Sequence, residues 1–548
     1  MAHGQIGPGN NMLTNHSNVL ARSLTFTCAA LLLILAPAAA RAAEWWVDPV
    51  NGSDSNPGTS IVAALRTISA AASRAQSNDV IHLLPGSHSG TISGPSNTTW
   101  EGLQADPAAA RNVGLSLSST NVTVRWLQAR SLSVGGQLNK LYGVTMKDTT
   151  QSVYWNGDNN TGDGLTIHCF RFHMVGADAN FYPVSNWVEG NSILNSTIYC
   201  HSTSGASNVV YLRSGRGNLF RGVRWFVRAS GSFFDAQLYN QYNWVSSQFI
   251  DCFWDIANLK STDDNVKIGF NVRDQVANPP TFNGGFTAME ACTIWVRPGG
   301  GRRADILFSN GGTHPGSVGR NRYDRLLVLH QAQSSNYGAA VYWQNQARND
   351  TVRNSVFVSE RFTPFQIDFA EDSVLVEHNT FIAVGTREAA ELATDPFFSG
   401  GGPHTLRRNV FYSRLANTSS AAPLTWNSAR DNERSRESLI YAEGGNANYA
   451  VADISGGPST ASTYDPASRW GNPLFAGPMD MPSILTWVFT LRQNPFLLLD
   501  GSDGMNRTGY APWTDGYVGA FGVSGGAPGP DVTPPAAVND LGGQTSSQ

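Results

Sequence analysis

The stretch RNSVFVS, Arg353–Ser359, is a polar corner followed by a short run of β-branched and aromatic residues. The pattern returns as EHNTFIA (377–383) and RRNVFYS (407–413), and upstream as NSTIYC (195–200), RGVRWFV (221–227), IDCFWDI (250–256) and EACTIWV (290–296). Val, Ile, Phe and Tyr fit a pleated strand, and the polar residues ahead of them fit a turn. Asn354, Asn379 and Asn409 are 25 and 30 residues apart, and the segments at Asn195, Gly222 and Asp251 are 27 and 29 apart. No helix-length amphipathic pattern lies between them. Short strands at this period predict an all-β chain, a parallel β-helix whose coils stack about 4.8 Å apart. Longer gaps, 251 to 291 and 291 to 325, require inserted loops.

Stacked coils place equivalent residues above one another. An asparagine repeated at one corner can bond to the next coil, so Asn354, Asn379 and Asn409 read as structural. Four cysteines, in IHCF, IYCH, DCFW and ACTI, sit beside alternating apolar residues on the inward face. Spacings of 31, 52 and 40 exclude a CxxC metal site. Cys169–Cys200 and Cys252–Cys292 are either bridges between neighbouring coils or buried free thiols.

The chain has 548 residues, a net charge of −4 and only 14% charged residues, so no global field favours nucleic acid or a membrane surface. Just four of its 37 basic residues are lysines: Lys140, Lys147, Lys260 and Lys267. Residues 22–43, RSLTFTCAALLLILAPAAARAA, read as an export signal too short in its apolar core to span a bilayer, with Met12 as an alternative start. The protein is therefore expected outside the cytoplasm, secreted or periplasmic, without a membrane span and as a monomer. Residues 525–548 are rich in Pro, Gly and Ser and read as a linker or disordered tail. DVTPPAAVNDL within them is similar to the lead-in to a fibronectin-type-III-like module.

The solenoid domain is expected over 44–524. It opens with WWVDPVNGSDSNPGTS (45–60), an extended piece and a polar loop, then ALRTISAAASRAQ (64–76), with Leu65, Ile68, Ala72 and Ala75 at helical spacing. NDVIHLLPGSHSG (78–90) follows as a strand and turn. A solenoid end exposes its core, so the helix reads as a cap. This opening, together with GNPLFAG (471–477), FTLRQNPFLLLDGSDG (489–504) and DGYVGAFG (515–522), resembles secreted right-handed parallel β-helix proteins of the pectate-lyase-like superfamily. Asn78-Asp79 stands where Gly-Asp is usual, and His88 where Tyr is frequent. The resemblance implies the fold. Activity varies widely on such a scaffold.

Taking Ile and Cys as inward makes His168, Phe170, Tyr199, His201, Arg224, Phe226, Arg228, Asp251, Phe253, Asp255, Thr293, Trp295 and Arg297 outward. Aromatics offer faces to sugar rings, and arginines suit carboxylates or sulfates. YLRSGRGNLFRGVRWFVRAS (211–230) carries Arg213, Arg216, Arg221, Arg224 and Arg228 with no acid. The next coil carries Asp251, Asp255, Asp263 and Asp264, which can hold Ca²⁺ or simply pair with the arginines.

An acidic polysaccharide is the expected partner, and β-elimination of a uronate polymer is the reaction this grouping suits. Ca²⁺ or Arg neutralises the substrate carboxylate, and a base removes the C5 proton. In the lyases the chain resembles, that base is Lys or Arg. Lys260 is the preferred base, with Arg228 or Arg224 on the carboxylate. Arg213, Arg216, Arg221, Phe253, Trp295 and Arg297 are expected to bind substrate. Two other readings stand beside this one: an extracellular protein that binds glycan without cutting it, and a glycoside hydrolase. TDDN (262–265) resembles the paired Asp of polygalacturonase-like hydrolases, but their Gly-His-Gly and Arg-Ile-Lys patterns are missing. RPGGGRR (297–303) lacks the P-loop ending, so no nucleotide site is expected.

Overall fold

The computed structural model describes residues 42–175, 188–202, 209–213, 215–229, 238–239, 247–258, 288–297, 307–310, 321–331, 341–344, 350–360, 363–367, 374–385, 389–392, 405–426, 435–454 and 456–496. Among these, strands stack in parallel into a β-helix. Sheet I has fifteen strands, running in order from Glu44–Val47 through Ser192–Leu194 and Arg322–Asp324 to Ser435–Arg436. From Thr123–Arg125 onward, a strand of sheet II follows each sheet I strand after a tight corner, for example Thr166–Cys169, Thr197–Ser202, Arg224–Ala229, Phe253–Asn258 and Thr293–Val296. A shorter sheet III, from Leu307–Asn310 to Val451–Asp453, completes the later coils.

The corner between sheets I and II explains the polar motifs. Asn195, Gly222, Asp251, Ala291, Arg325, Asn354, His378, Arg408 and Glu437 occupy one position in successive coils, all with φ between 44° and 62°. In this left-handed turn the residue's N–H reaches the next coil: Asn195 donates to the Arg221 carbonyl at 2.9 Å and Asp251 to the Glu290 carbonyl at 2.9 Å. The inter-coil ladder thus continues through the bend.

Asn354 belongs to this left-handed column, whereas Asn379 and Asn409 lie one position later and are fully buried. The Asn379 N–H donates to Asn409 Oδ1 at 3.0 Å, and its Nδ2 to the Val352 carbonyl at 2.9 Å. The expected column of three is therefore two stacked amides with Ser355 above them and Asn354 beside them.

A second amide ladder enters sheet I. Backbone N–H groups of Val122, Asn139, Asn160 and Asn191 donate in turn to Oδ1 of Asn139, Asn160, Asn191 and Asn218, at 2.8 to 3.0 Å. Asp350 holds the equivalent place later, accepting from Asn321 N–H at 2.8 Å.

Inside, like stacks on like. Trp225 lies on Trp254 with centroids 4.7 Å apart and planes 1° apart, and Phe220 lies on Phe249 at 4.8 Å. Cys169 and Cys200 are in register with sulfurs 3.7 Å apart. All four described cysteines are buried free thiols, with Cys252 and Cys292 donating to the Phe220 and Phe249 carbonyls.

The opening loop also has its explanation. Asp54 accepts from the N–H groups of Arg66 and Thr67 and from the Thr67 hydroxyl, all at 2.9 Å. Thr67 in turn caps helix α1, Ile68–Arg74, through Ala70 N–H. Arg74 returns to the loop carbonyls of Asp54 and Asn56. So the Asp-Ser-Asn-Pro-Gly loop and α1 lock together, and Ile68 and Ala71 enter the core.

Candidate functional site

Outward positions of sheet II form columns along the helix axis. One column runs Lys147, His168, Tyr199, Phe226, Asp255, Trp295, fixed by the register of the paired strands. The alternating residues Ile167, Ile198, Trp225, Trp254 and Ile294 point inward and are buried. His168 stacks on Tyr199 at 4.3 Å and Tyr199 on Phe226 at 4.7 Å, with planes 21° and 14° apart. Rings stacked this way use their faces on one another and turn their edges outward. The column therefore offers solvent a hydroxyl and imidazole nitrogens, rather than the open ring faces expected from sequence.

Burial, helped by the Lys147 ammonium, lowers the His168 pKa and favours the neutral imidazole. Burial raises the Tyr199 pKa against the pull of Arg224, which keeps the phenol protonated. A second outward column, Tyr154, His173 and Tyr211, lies on the neighbouring strands with edge-to-face contacts of 5.4 and 5.7 Å. Tyr154 is 44% exposed. From Val113–Leu117 to Arg224–Ala229, the described strands of sheet II contain Arg130, Lys147, Arg171, Arg213, Arg224 and Arg228 but no Asp or Glu. This half of the sheet is a cationic, hydrogen-bonding strip.

The strip changes character at the next coil. Asp255 is 1% exposed. Arg297 grips it with Nε at 2.6 Å and Nη2 at 2.7 Å, and Arg228 Nη2 adds a bond at 2.9 Å. Arg228 Nη1 also donates to the Asp255 carbonyl at 2.9 Å. A charged fork on a buried carboxylate is a strong, geometrically fixed arrangement. Arg297 lies 4.1 Å over the Trp295 ring, which also stacks on Phe489 at 4.7 Å. From here the outward face is apolar and covered. Leu327, Leu329, Val356, Val358 and Ile382 pack under Met481, Ile484 and Val488 of a C-terminal segment. That segment contains helix α2 (Met481–Leu485) and a π-helical turn, Thr486–Thr490.

The five arginines of 211–230 are neighbours in sequence but not in space, because one coil travels round the whole solenoid in that length. Arg224 and Arg228 share a strand of sheet II. Arg213 ends an adjoining strand of that sheet. Arg216 is on a separate two-stranded sheet, 4.0 Å from Glu189. Arg221 projects, exposed, from sheet I. Phe253 is 5% exposed and lies against Phe489. Trp295 is partly covered by the same ring.

Asp251 sits in the left-handed corner and Asp255 in the strand, with both Asp255 oxygens occupied by guanidinium donors. The two carboxylates do not form a common cation site. Among the described residues no group of three or more His, Cys, Asp or Glu is placed to hold a metal. Lys260, Asp263 and Asp264 lie outside the described residues.

Sequence reading passed over the roles of Lys147, Tyr154, Arg171, His173 and Tyr211. The alternation in TMK, SVYW and RFHMV was the available signal. Phe489 had none, because its role comes from docking rather than from coil periodicity.

No family model and no curated protein matches this chain. Among solved structures, it is similar to the crystal structure of GH136 lacto-N-biosidase from Eubacterium ramulus, in its selenomethionine derivative. The match covers 66% of this chain and 67% of that one, at 11% identity and a TM-score of 0.28. A likeness of this size carries no argument about function.

Proposed function

We propose that this protein acts outside the cytoplasm and binds an acidic polysaccharide along the cationic half of sheet II. The observation that carries this reading is the unbroken column Lys147–His168–Tyr199–Phe226, flanked by Arg171 and Arg224, in strands without a carboxylate. Carboxylate or sulfate groups repeat along such a polymer, as cations and ring edges repeat along the column. Charge-assisted hydrogen bonds from Lys and Arg supply affinity, and the Tyr199 hydroxyl and His168 imidazole supply neutral partners.

Cleavage of that polymer by β-elimination is the second reading, favoured by the same pair of rings. A neutral His168 could accept the C5 proton while Arg224 or Lys147 neutralises the uronate carboxylate. The C4–O bond then breaks as the C4–C5 double bond forms, and Tyr199 can return a proton to the leaving oxygen. Lys260 remains the alternative base. Arg228 is less suited to the substrate carboxylate than Arg224, because Asp255 already holds it. Ca²⁺ would enter through Asp263, Asp264 and Asp251, without Asp255.

The test is to incubate the protein with polygalacturonate, alginate and chondroitin sulfate, with Ca²⁺ or with chelator. Binding is followed by calorimetry, and the unsaturated product by ultraviolet absorbance. Binding without absorbance supports a binding protein. A rise in absorbance establishes a lyase, and its loss in chelator assigns the Ca²⁺. No binding to any of the three overturns the proposal.

A further inference from the structure

The strip that this reading makes the binding site is open along one direction of the helix axis and closed along the other. Up to Phe226 its column residues reach the surface: Lys147 is exposed, and His168, Tyr199 and Phe226 are partly exposed. At the next coil the outward residues vanish from the surface, Phe253 at 5% and Asp255 at 1% exposure. The chain's own Phe489 stands over Phe253 and Trp295, with centroids 6.0 and 4.7 Å away. Arg297 covers Trp295 and ties it to Asp255 and so to Arg228. Behind this wall Leu327, Leu329, Val356, Val358 and Ile382 pack under Met481, Ile484 and Val488. The wall is built of packed apolar side chains and a two-arginine grip, so it is a fixed part of the fold.

We propose that the strip is blind-ended, and that the protein engages the end of an acidic polysaccharide chain rather than an internal stretch. This rests on the binding reading given above. From Lys147 to Phe226 the column spans four coils, so about 15 Å of strip lies before the wall. A polymer lying along it from the open side must stop at Phe489. The guanidinium of Arg224, in register with Phe253 on the neighbouring strand, is then the last cation that an anionic end group meets.

The experiment counts proteins per polysaccharide chain. Size-fractionated alginate, polygalacturonate and chondroitin sulfate, long enough to span many strips, are titrated with the full chain by calorimetry and sedimentation velocity. Blind-ended binding predicts one protein per chain at every length, with affinity per chain independent of length. A count that rises in proportion to chain length overturns the inference while leaving the binding reading intact. Absence of binding to all three polymers removes the binding reading, and the inference falls with it.

Discussion

Asp350 is the residue whose chemistry is most at odds with its place. It occupies a buried ladder position where Asn139, Asn160, Asn191 and Asn218 stand in earlier coils. An amide there accepts one hydrogen bond and donates another, as Asn191 does to the Gly157 carbonyl at 2.9 Å. A carboxylate cannot donate. Burial pushes the Asp350 pKa up to about 7, against the two hydrogen bonds from Asn321 that favour the anion. The unfolded chain ionises this group near its ordinary value of 3.8. Below pH 4 both states hold the proton, and the group does not affect stability. Between pH 4 and 7 only the unfolded state releases it, so stability falls as pH rises, by on the order of a few kcal/mol. Asp350→Asn should remove that penalty. Urea midpoints measured at pH 4.5 and pH 8 should converge in the variant and differ in the parent. Equal pH dependence in both would refute the assignment.

Elements were legible to the extent that they alternate. TIHC and TIYC read apolar-in and polar-out, and the structure keeps that register, with Ile167, Cys169, Ile198 and Cys200 inside. LVLH, VFVS, TFIA and VFYS do not alternate, and all four are buried throughout. A continuous apolar strand is one covered on both faces, so the docked C-terminal segment was implicit in these runs. The corner asparagines were legible as structural but not to the single residue, because left-handed and buried positions are adjacent and Asn suits both. Two measurements belong at this scale. Asn191→Ala removes an acceptor for Asn160 N–H and Trp155 Nε1 inside the ladder and should cost about 2 to 4 kcal/mol, read as a lowered urea midpoint. Ending the chain before Met479 uncovers the apolar half of sheet II. That protein should melt lower and scatter light on warming, since each Leu, Ile or Val returned to water costs about 1.5 to 3 kcal/mol. A truncated chain that melts with the parent would mean the segment is not part of the stable fold.

Across the whole molecule, sequence proximity and spatial proximity separate. The solenoid was readable because its period is local, but a coil of some 30 residues visits every face, so a charge cluster in sequence is dispersed in space. Arg216, Arg221 and Arg228 are the example, on three different sheets. Charge is instead organised along the axis. Sheet I carries alternating pairs, such as Arg353 with Asp324 at 3.2 Å and Arg407 with Glu377 at 3.0 Å, which neutralise one another. The cationic half of sheet II has no such acids within its strands. If it receives an acidic polymer, affinity should fall steeply as salt rises from 50 to 500 mM, because partly exposed charges are screened beyond a few ångströms. Lys147→Gln and Arg224→Gln should each weaken binding about tenfold, or about 1.4 kcal/mol, and flatten the salt dependence. Arg407→Gln, which changes the total charge by the same amount on another face, should leave both unchanged. Titrations of the three variants across that salt range separate a directed strip from nonspecific attraction. Equal losses in all three would mean that net charge, not sheet II, governs the interaction.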